Sequence, residues 1–422
     1  MNLKFLGPLK IRDFSVYWTG QTISLLGDGI FLVAIAWQVY DLWNVPTALS
    51  IVGVIETVPL VLLVAIGGVV TDRVERRRVL IWAALVRGAS VLAIGVLGLA
   101  GALELWQIFV IAAFYGAGLA FQGPAQGAIV PDLVPEELLV PANSLAQLMR
   151  PLAMSLIGPA LGGLIVHAAG APAAFIIDAA SYAFVVVMLL LLHPRPAALQ
   201  REEATSMRED IREGWRFVRS HVWLWGTLAW ATITVFLIYA PFEVLVPYLV
   251  KNELHGTAGD LGLVFAAGGA GAVIAAVVIG QRGLPNKHIT AMYLAWGIAA
   301  FDLVLYTLTN APWQAMLVAG YAEACWTVGL LVWVTMLQRL VPTKLLGRVK
   351  SLDWLLSIGL APLSFALCGP AAEWLGVDRV LVVAGIGALA LTIGFYFLPG
   401  MRDTEQDGHE RRVVLGSAPD SV

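Results

Sequence analysis

Apolar residues in this chain fall in long unbroken runs, not in the alternation of half-buried strands. Twelve such runs lie near 14–42, 46–70, 78–100, 104–130, 142–168, 172–193, 222–250, 258–280, 288–309, 312–340, 347–375 and 378–399. An apolar helix of about 20 residues crosses the roughly 30 Å hydrocarbon core of a bilayer. Only helices and closed barrels satisfy their backbone groups there. The pattern therefore predicts an all-α, multi-pass membrane protein with twelve transmembrane helices. The polar stretches between the runs are short, except for residues 194–221, which divide the chain into six runs plus six. The expected organisation is an N-terminal six-helix bundle (1–193), a cytoplasmic linker (194–221), a C-terminal six-helix bundle (222–399) and a cytoplasmic tail (400–422).

An even number of crossings puts both termini on one side. Of 26 lysines and arginines, only Lys251 and Arg379 fall in loops on the other side, while Arg87 and Arg150 fall inside runs. Basic loops stay in the cytoplasm, so both termini are expected there, with the protein in the inner (plasma) membrane. The start, Met1 to Asp13, carries Lys4, Lys10 and Arg12 and no convincing cleavage site, and the first run reads as a retained helix. In the linker, Met207, Ile211, Trp215 and Val218 recur at helical spacing among charged residues, which predicts an amphipathic helix on the inner membrane surface. The polar tail is expected to be disordered.

Composition sharpens this picture in two places. Hydrophobic residues make up 59% of 422 and charged residues 13%, a balance that excludes an ordinary soluble domain. The net charge of −3 carries little meaning because the charges are segregated. Cys325 and Cys368 lie inside apolar runs and read as packing residues, with no disulfide framework. The six histidines, His167, His193, His221, His255, His288 and His409, show no metal spacing, and no phosphate-binding loop is present. Neither an enzyme nor a cofactor is expected.

The densest charge lies between the second and third runs. Asp72-Arg73-Val74-Glu75-Arg76-Arg77-Arg78 holds four arginines and two acids in seven residues. Asp72 and Arg76 stand four apart, within ion-pair reach on one helix, and Gly68 is expected to permit close helix contact. Asp132, at the inner end of the fourth run, is a further partner for Arg76 or Arg77. The pattern Gly68-x-x-x-Asp72-Arg73-x-x-Arg76-Arg77-x-x-Leu80 closely resembles the loop between helices two and three of the major facilitator superfamily, with Glu75 where the family usually has Gly or Lys. The resemblance implies a transporter of two bundles around a central cavity, gated by this loop. An internal repeat agrees: Leu133-Val134-Pro135-Glu136-Glu137-Leu138-Leu139 aligns with Leu340-Val341-Pro342-Thr343-Lys344-Leu345-Leu346. The second half has only a decayed copy of the basic loop at Gly280-Gln281-Arg282, which lacks the acid.

A second motif lies in the fifth run, Gly158-Pro159-Ala160-Leu161-Gly162-Gly163. Pro159 removes a backbone hydrogen bond and the glycines admit a close neighbour. The motif resembles the antiporter motif of drug:proton exporters, with Met154 where the family has a glycine. Gly20-Gln21-x-x-Ser24-x-x-Gly27-Asp28, Ala142-Asn143-Ser144-Leu145 and Pro241-x-Glu243-x-x-x-Pro247 resemble the macrolide-efflux, Tap-like and enterobactin-exporter branch. The apolar part of the fourth run, Phe114 to Gln122, lacks the arginine that many drug exporters carry there.

Ionisable side chains inside a membrane are costly and mark function. Asp28 and Glu323 lie near the middle of their runs, in different halves, and are the first candidates for proton coupling in a substrate cavity. Glu56 comes next. Asp178, Glu243 and Asp302 fall nearer outer ends, and Arg87 and Arg150 are expected to pair with acids near the inner mouth such as Asp353. Trp37, Phe121, Tyr239, Trp296, Trp326 and Trp333 offer an apolar lining or interface anchors. The resemblance implies proton-coupled, multidrug-type efflux of amphipathic small molecules by a monomer among membrane lipids, without a nucleic-acid partner. Two alternatives stay open: a dedicated exporter or flippase of a siderophore or lysophospholipid, and a non-transporting receptor.

Overall fold

The structure is a computed structural model that describes residues 4–193, 207–283 and 285–405. The linker segment 194–206 and the tail beyond 405 lie outside the described residues. Among the described residues every regular element is helical, and twelve helices are long and apolar enough to cross a membrane. They are labelled α1 (Arg12–Leu42), α2 (Pro46–Arg73), α3 (Arg76–Leu99), α4 (Leu105–Leu133), α5 (Glu136–Ala169), α6 (Ala171–Leu190), α7 (Val222–Asn252), α8 (Ala258–Arg282), α9 (His288–Tyr306), α10 (Pro312–Leu340), α11 (Leu345–Leu375) and α12 (Val377–Tyr396). A shorter linker helix, Met207–Ser220, lies between α6 and α7.

Local chemistry sets many of the boundaries. At the start of α8 the Thr257 backbone N–H donates to Asp260 Oδ2 (2.8 Å) while the Asp260 N–H donates to Thr257 Oγ1 (3.2 Å), a reciprocal cap of two orphan donors. Glu104 and Gln107 cap α4 in the same way. Gly170 between α5 and α6 and Gly376 between α11 and α12 have φ of +83° and +94°, a region that costs a side chain dearly. The same single-glycine turn thus joins the fifth and sixth helices of each half.

The helices form two six-helix bundles. In the first, α1 packs on α5 and α6, α2 on α4, and α3 on α4 and α6; in the second, α8 packs on α10, α9 on α10 and α12, and α7 on α11 and α12. The halves meet along α2 with α11 and α5 with α8. Large apolar residues such as Leu62, Trp82, Phe114, Leu164, Leu317 and Val383 face outward, as lipid contact requires. In the second half, Trp223, Trp230, Trp296 and Trp333 are buried together, with Trp230 stacked on Trp296 at 4.3 Å between centroids. Two of the six aromatic residues expected as lining, Trp296 and Trp333, are therefore core residues.

Two spans depart from α geometry. Arg150–Ile157 in α5 and Pro241–Leu245 in α7 are π-helical. The irregularity in α5 thus lies before Pro159, which sits in the first turn of the following α stretch, where its missing N–H costs least. The linker helix rests on α7 and α11. Val218 is buried, Gly214 lies over Arg348, Glu213 pairs with Arg348, and Trp215 stays exposed. The side chains of Met207 and Ile211, expected in its apolar stripe, lie outside the described residues.

Candidate functional site

A polar cluster occupies the centre of the first bundle. Arg87 of α3 is 1% exposed. Its Nη2 donates to Asp28 Oδ1 of α1 at 2.8 Å and to the Tyr115 hydroxyl of α4, and its Nη1 donates to Gln122 Oε1. The Tyr182 hydroxyl of α6 donates to the same Asp28 oxygen at 2.6 Å. The guanidinium carbon lies 4.4 Å and 4.9 Å from the ring centroids of Tyr115 and Tyr182. Glycines make the approach possible. A Cβ on Gly118 would lie 2.6 Å from Arg87 Cγ, and one on Gly88 would lie 2.7 Å from Tyr182 Cβ. A buried cation persists only with such partners.

This overturns the expected pairing of Arg87 with Asp353. Asp353 lies in the other bundle and accepts from Trp333 Nε1 at 3.2 Å. Arg87 is deep enough to reach Asp28, and it lies along α4, the helix that has no arginine of its own. The partners Tyr115, Gln122 and Tyr182 carry no sequence signal that separates them from interface aromatics or solvated amides. Only the adjacent pair Arg87-Gly88 hints at a packed cation.

Glu56 of α2 lines a small cavity with Phe31, Ile35, Ser90 and Tyr115, and the Glu56 backbone lies against Gly116 of α4. It stands within electrostatic reach of Arg87 and Asp28. Glu323 of α10 packs over Gly268 of α8 in the second bundle, with its Cγ 3.0 Å from a Cβ built there. Glu243, in the π-helical turn of α7, is within electrostatic reach of both Glu56 and Glu323, although its place in the sequence pointed to an outer end. The structure thus bonds Asp28 to the Arg87 guanidinium, puts Glu56 in the cavity beside it, and leaves Glu323 in the opposite half.

In the basic loop, α2 ends at Arg73 and α3 begins at Arg76, so Asp72 and Arg76 are not four apart on one helix. The expected Asp72–Arg76 bond is not made. Arg76 Nη1 donates instead to Asp132 Oδ1 at 2.7 Å and to the Ala128 carbonyl at 2.8 Å. Arg77 donates to the Leu190 carbonyl at 3.1 Å. Asp72 and Arg73 are exposed, and among the described residues their side chains make no hydrogen bond or ion pair. Gly68 faces open space, and the close contact falls to Gly67, which lies against the Ala120 carbonyl.

The glycines of α5 each serve a neighbour. A Cβ on Gly158 would lie 2.8 Å from Gly29 Cα, one on Gly162 2.9 Å from Ile30 Cα, and one on Gly163 2.8 Å from Gly262 Cα of α8. Two of these contacts seal α5 to α1, and the third seals one bundle to the other. Further bonds join the halves at the end away from the termini. Tyr40 donates to the Val244 carbonyl at 2.7 Å, Asn44 and Asn252 bond each other, Lys251 pairs with Asp41, and the Thr47 N–H donates to Glu373 at 3.3 Å. At the end bearing the termini no hydrogen bond or ion pair crosses between the bundles among the described residues. Among the described residues the side-chain bonds between the halves thus gather at the end away from the termini.

Comparison with known proteins agrees with this architecture. Residues 4–413 match the family described as transmembrane secretion effector. An MFS-type transporter of Bacillus subtilis is 26% identical over 405 residues, covering 91% of this chain and 92% of that one. Macrolide efflux protein A of Streptococcus pyogenes is 23% identical over 392 residues (91% and 95%), and the multidrug efflux pump Tap of Mycolicibacterium fortuitum is 26% identical over 410 (94% and 97%). Among solved structures, the nucleoside transporter NupG aligns with a TM-score of 0.69 at 10% identity, over 92% of this chain and 99% of that one. A bacterial homologue of ferroportin in an inward-facing state aligns with a TM-score of 0.66 at 17% identity, with the same coverage. The chain belongs to the transmembrane secretion effector family and is a transporter of the major facilitator superfamily. It is a multi-pass membrane protein and not an enzyme.

Proposed function

We propose that this protein exports amphipathic small molecules in exchange for protons, by alternating access, with both termini in the cytoplasm. The reading rests on one observation above others: a carboxylate, Asp28, held at the centre of the first bundle by Arg87 and Tyr182, in a molecule shut at the end away from the termini. Relatives named for macrolide and multidrug efflux support the direction, and the bias of lysine and arginine supports the sidedness. With that sidedness, the end where bonds join the halves is the outer one.

Each part has a role in this reading. Asp28, Glu56 and Glu323 take up and release protons as the cavity changes sides, and Glu243 joins them at the contact between halves. The α5 glycines Gly158, Gly162 and Gly163, with Pro159, keep the α1 and α8 contacts tight so that protons do not leak. Arg76, Arg77 and Asp132 brace the inner ends of the first bundle, while Asp72 and Arg73 stand ready to engage the second when the inner end closes. The linker helix travels with the second bundle.

The test is reconstitution in liposomes with an acidic exterior relative to the side of substrate loading. Uphill movement of a cationic macrolide or dye, with stoichiometric proton movement the other way, is the expected result. Transport that ignores the pH gradient but follows a sodium gradient would replace protons as the coupling ion.

A further inference from the structure

The central acid Asp178 is left outside this account. Asp178 of α6 is fully buried. Its Oδ1 accepts from Ser181 at 3.1 Å, and its Oδ2 has no hydrogen-bond partner. It lies against Gly27, where any Cβ would collide with Asp178 Oδ1 and Ser181 Oγ, so it sits directly behind Asp28. The groups facing it are Asp28 from α1, Arg87 from α3, Tyr115 from α4 and Tyr182 from its own helix. Arg87, for its part, leaves its Nε–H without a partner.

A second, fully buried aspartate therefore lies beside the Asp28–Arg87 pair with no ion pair of its own among the described residues. An unpaired buried carboxylate is very costly, whereas its protonated form needs only ordinary hydrogen bonds. Arg87 is already spent on Asp28. We propose that Asp178 carries a proton in this conformation and serves as the store from which Asp28 is recharged. When the Asp28–Arg87 pair opens, Arg87 swings to Asp178; the Asp178 carboxyl gives its proton to Asp28, becomes the carboxylate and takes the guanidinium. One proton moves, one ion pair breaks and one forms, and the net charge of the cluster is unchanged. Asp28, whose side chain is 11% exposed against 2% for Arg87, is the member that trades protons with the cavity. The role deepens the proton-exchange reading and rests on it, but the protonation itself is measurable without transport.

The experiment is infrared spectroscopy at neutral pH on the full-length protein in liposomes, with isotope-labelled aspartate to separate its carboxylic-acid band from glutamate. Wild type should show the band. Asp178→Asn should lose one aspartate's share of it, and Asp28→Asn should lose the same share, because Arg87 then pairs with Asp178 and ionises it. A purely structural Asp178 would not respond to Asp28→Asn. A wild type without the band overturns the proposal even if Asp178→Asn fails to fold, and so does a band unchanged in either variant. In the same liposomes Asp178→Asn should lose uphill export while keeping downhill exchange. The band pattern without any pH-driven transport in wild type would sink the exchange reading and leave the protonation standing. pH-driven transport in Asp178→Asn equal to wild type would remove the store.

Discussion

Gly163 of α5 and Gly262 of α8 meet backbone to backbone across the two bundles. A Cβ on Gly163 would lie 2.8 Å from Gly262 Cα, and one on Gly262 would lie 2.7 Å from Gly163 Cα. No other residue type fits at either position without moving a helix. Gly163→Leu should wedge the bundles apart, while Gly162→Leu presses on Ile30 inside the first bundle. Overpacking of this kind costs about 1–3 kcal/mol, enough to shift a conformational balance by about 5- to 150-fold. Substrate export should fall by that order in both variants, and proton leak should rise in Gly163→Leu. Leak and export equal to wild type would reduce the motif to ordinary packing.

The cluster around Arg87 separates stability from coupling. Arg87→Ala leaves Asp28 buried without its cation, a change that typically costs about 3–5 kcal/mol. A clear drop in melting temperature and in folded yield is expected, measured in detergent. Asp28→Asn and Glu323→Gln cannot ionise, and each should abolish export driven by a pH gradient while sparing some downhill exchange. If both singles and the double export uphill like wild type, coupling resides in Glu56 or Glu243.

In the basic loop the Arg76–Asp132 pair is partly exposed, with side-chain accessibilities of 23% and 31%, and such a pair is worth about 1 kcal/mol or less. Asp132→Asn should therefore change the melting temperature little. Asp72→Asn should not change it at all in the conformation described, because the Asp72 side chain makes no bond there, yet it should slow turnover by weakening the state closed at the inner end. Parallel melting curves and efflux rates decide this. Turnover at the wild-type rate would remove Asp72 from gating.

At the closed end, Asn44 and Asn252 bond from opposite bundles, with Asn44 Nδ2 2.6 Å from Asn252 Oδ1. Asn44→Cys with Asn252→Cys should form a disulfide under mild oxidation, stop transport, and recover when reduced. Lys251→Ala, which removes the pair with Asp41, should lower the yield of that cross-link. A disulfide that forms without affecting transport would mean that this end need not open.

The sequence by itself determined everything that depends on the solvent. A bilayer forbids unsatisfied backbone, so long apolar runs had to be helices, and their number and break point follow from composition along one dimension. The basic loop and the glycine-proline motif were legible because charge density and helix packing each demand particular residue types at short spacing. Asp28 stood out for the same reason, as an acid in the middle of an apolar run. What surrounds it was not legible. Arg87, Tyr115, Gln122, Asp178 and Tyr182 come from three helices other than that of Asp28, and no rule of spacing links residues on different helices. Asp72 and Arg76 show the limit at short range: four residues apart reads as one helical turn, but the break at Val74 and Glu75 gives Arg76 to Asp132 instead. Which carboxylate takes the cation, which stays without one, and which glycine touches which backbone depend on how the helices cross. Those choices belong to the tertiary structure, because a buried charge or a missing side chain is satisfied by whatever lies nearest in space, not in sequence.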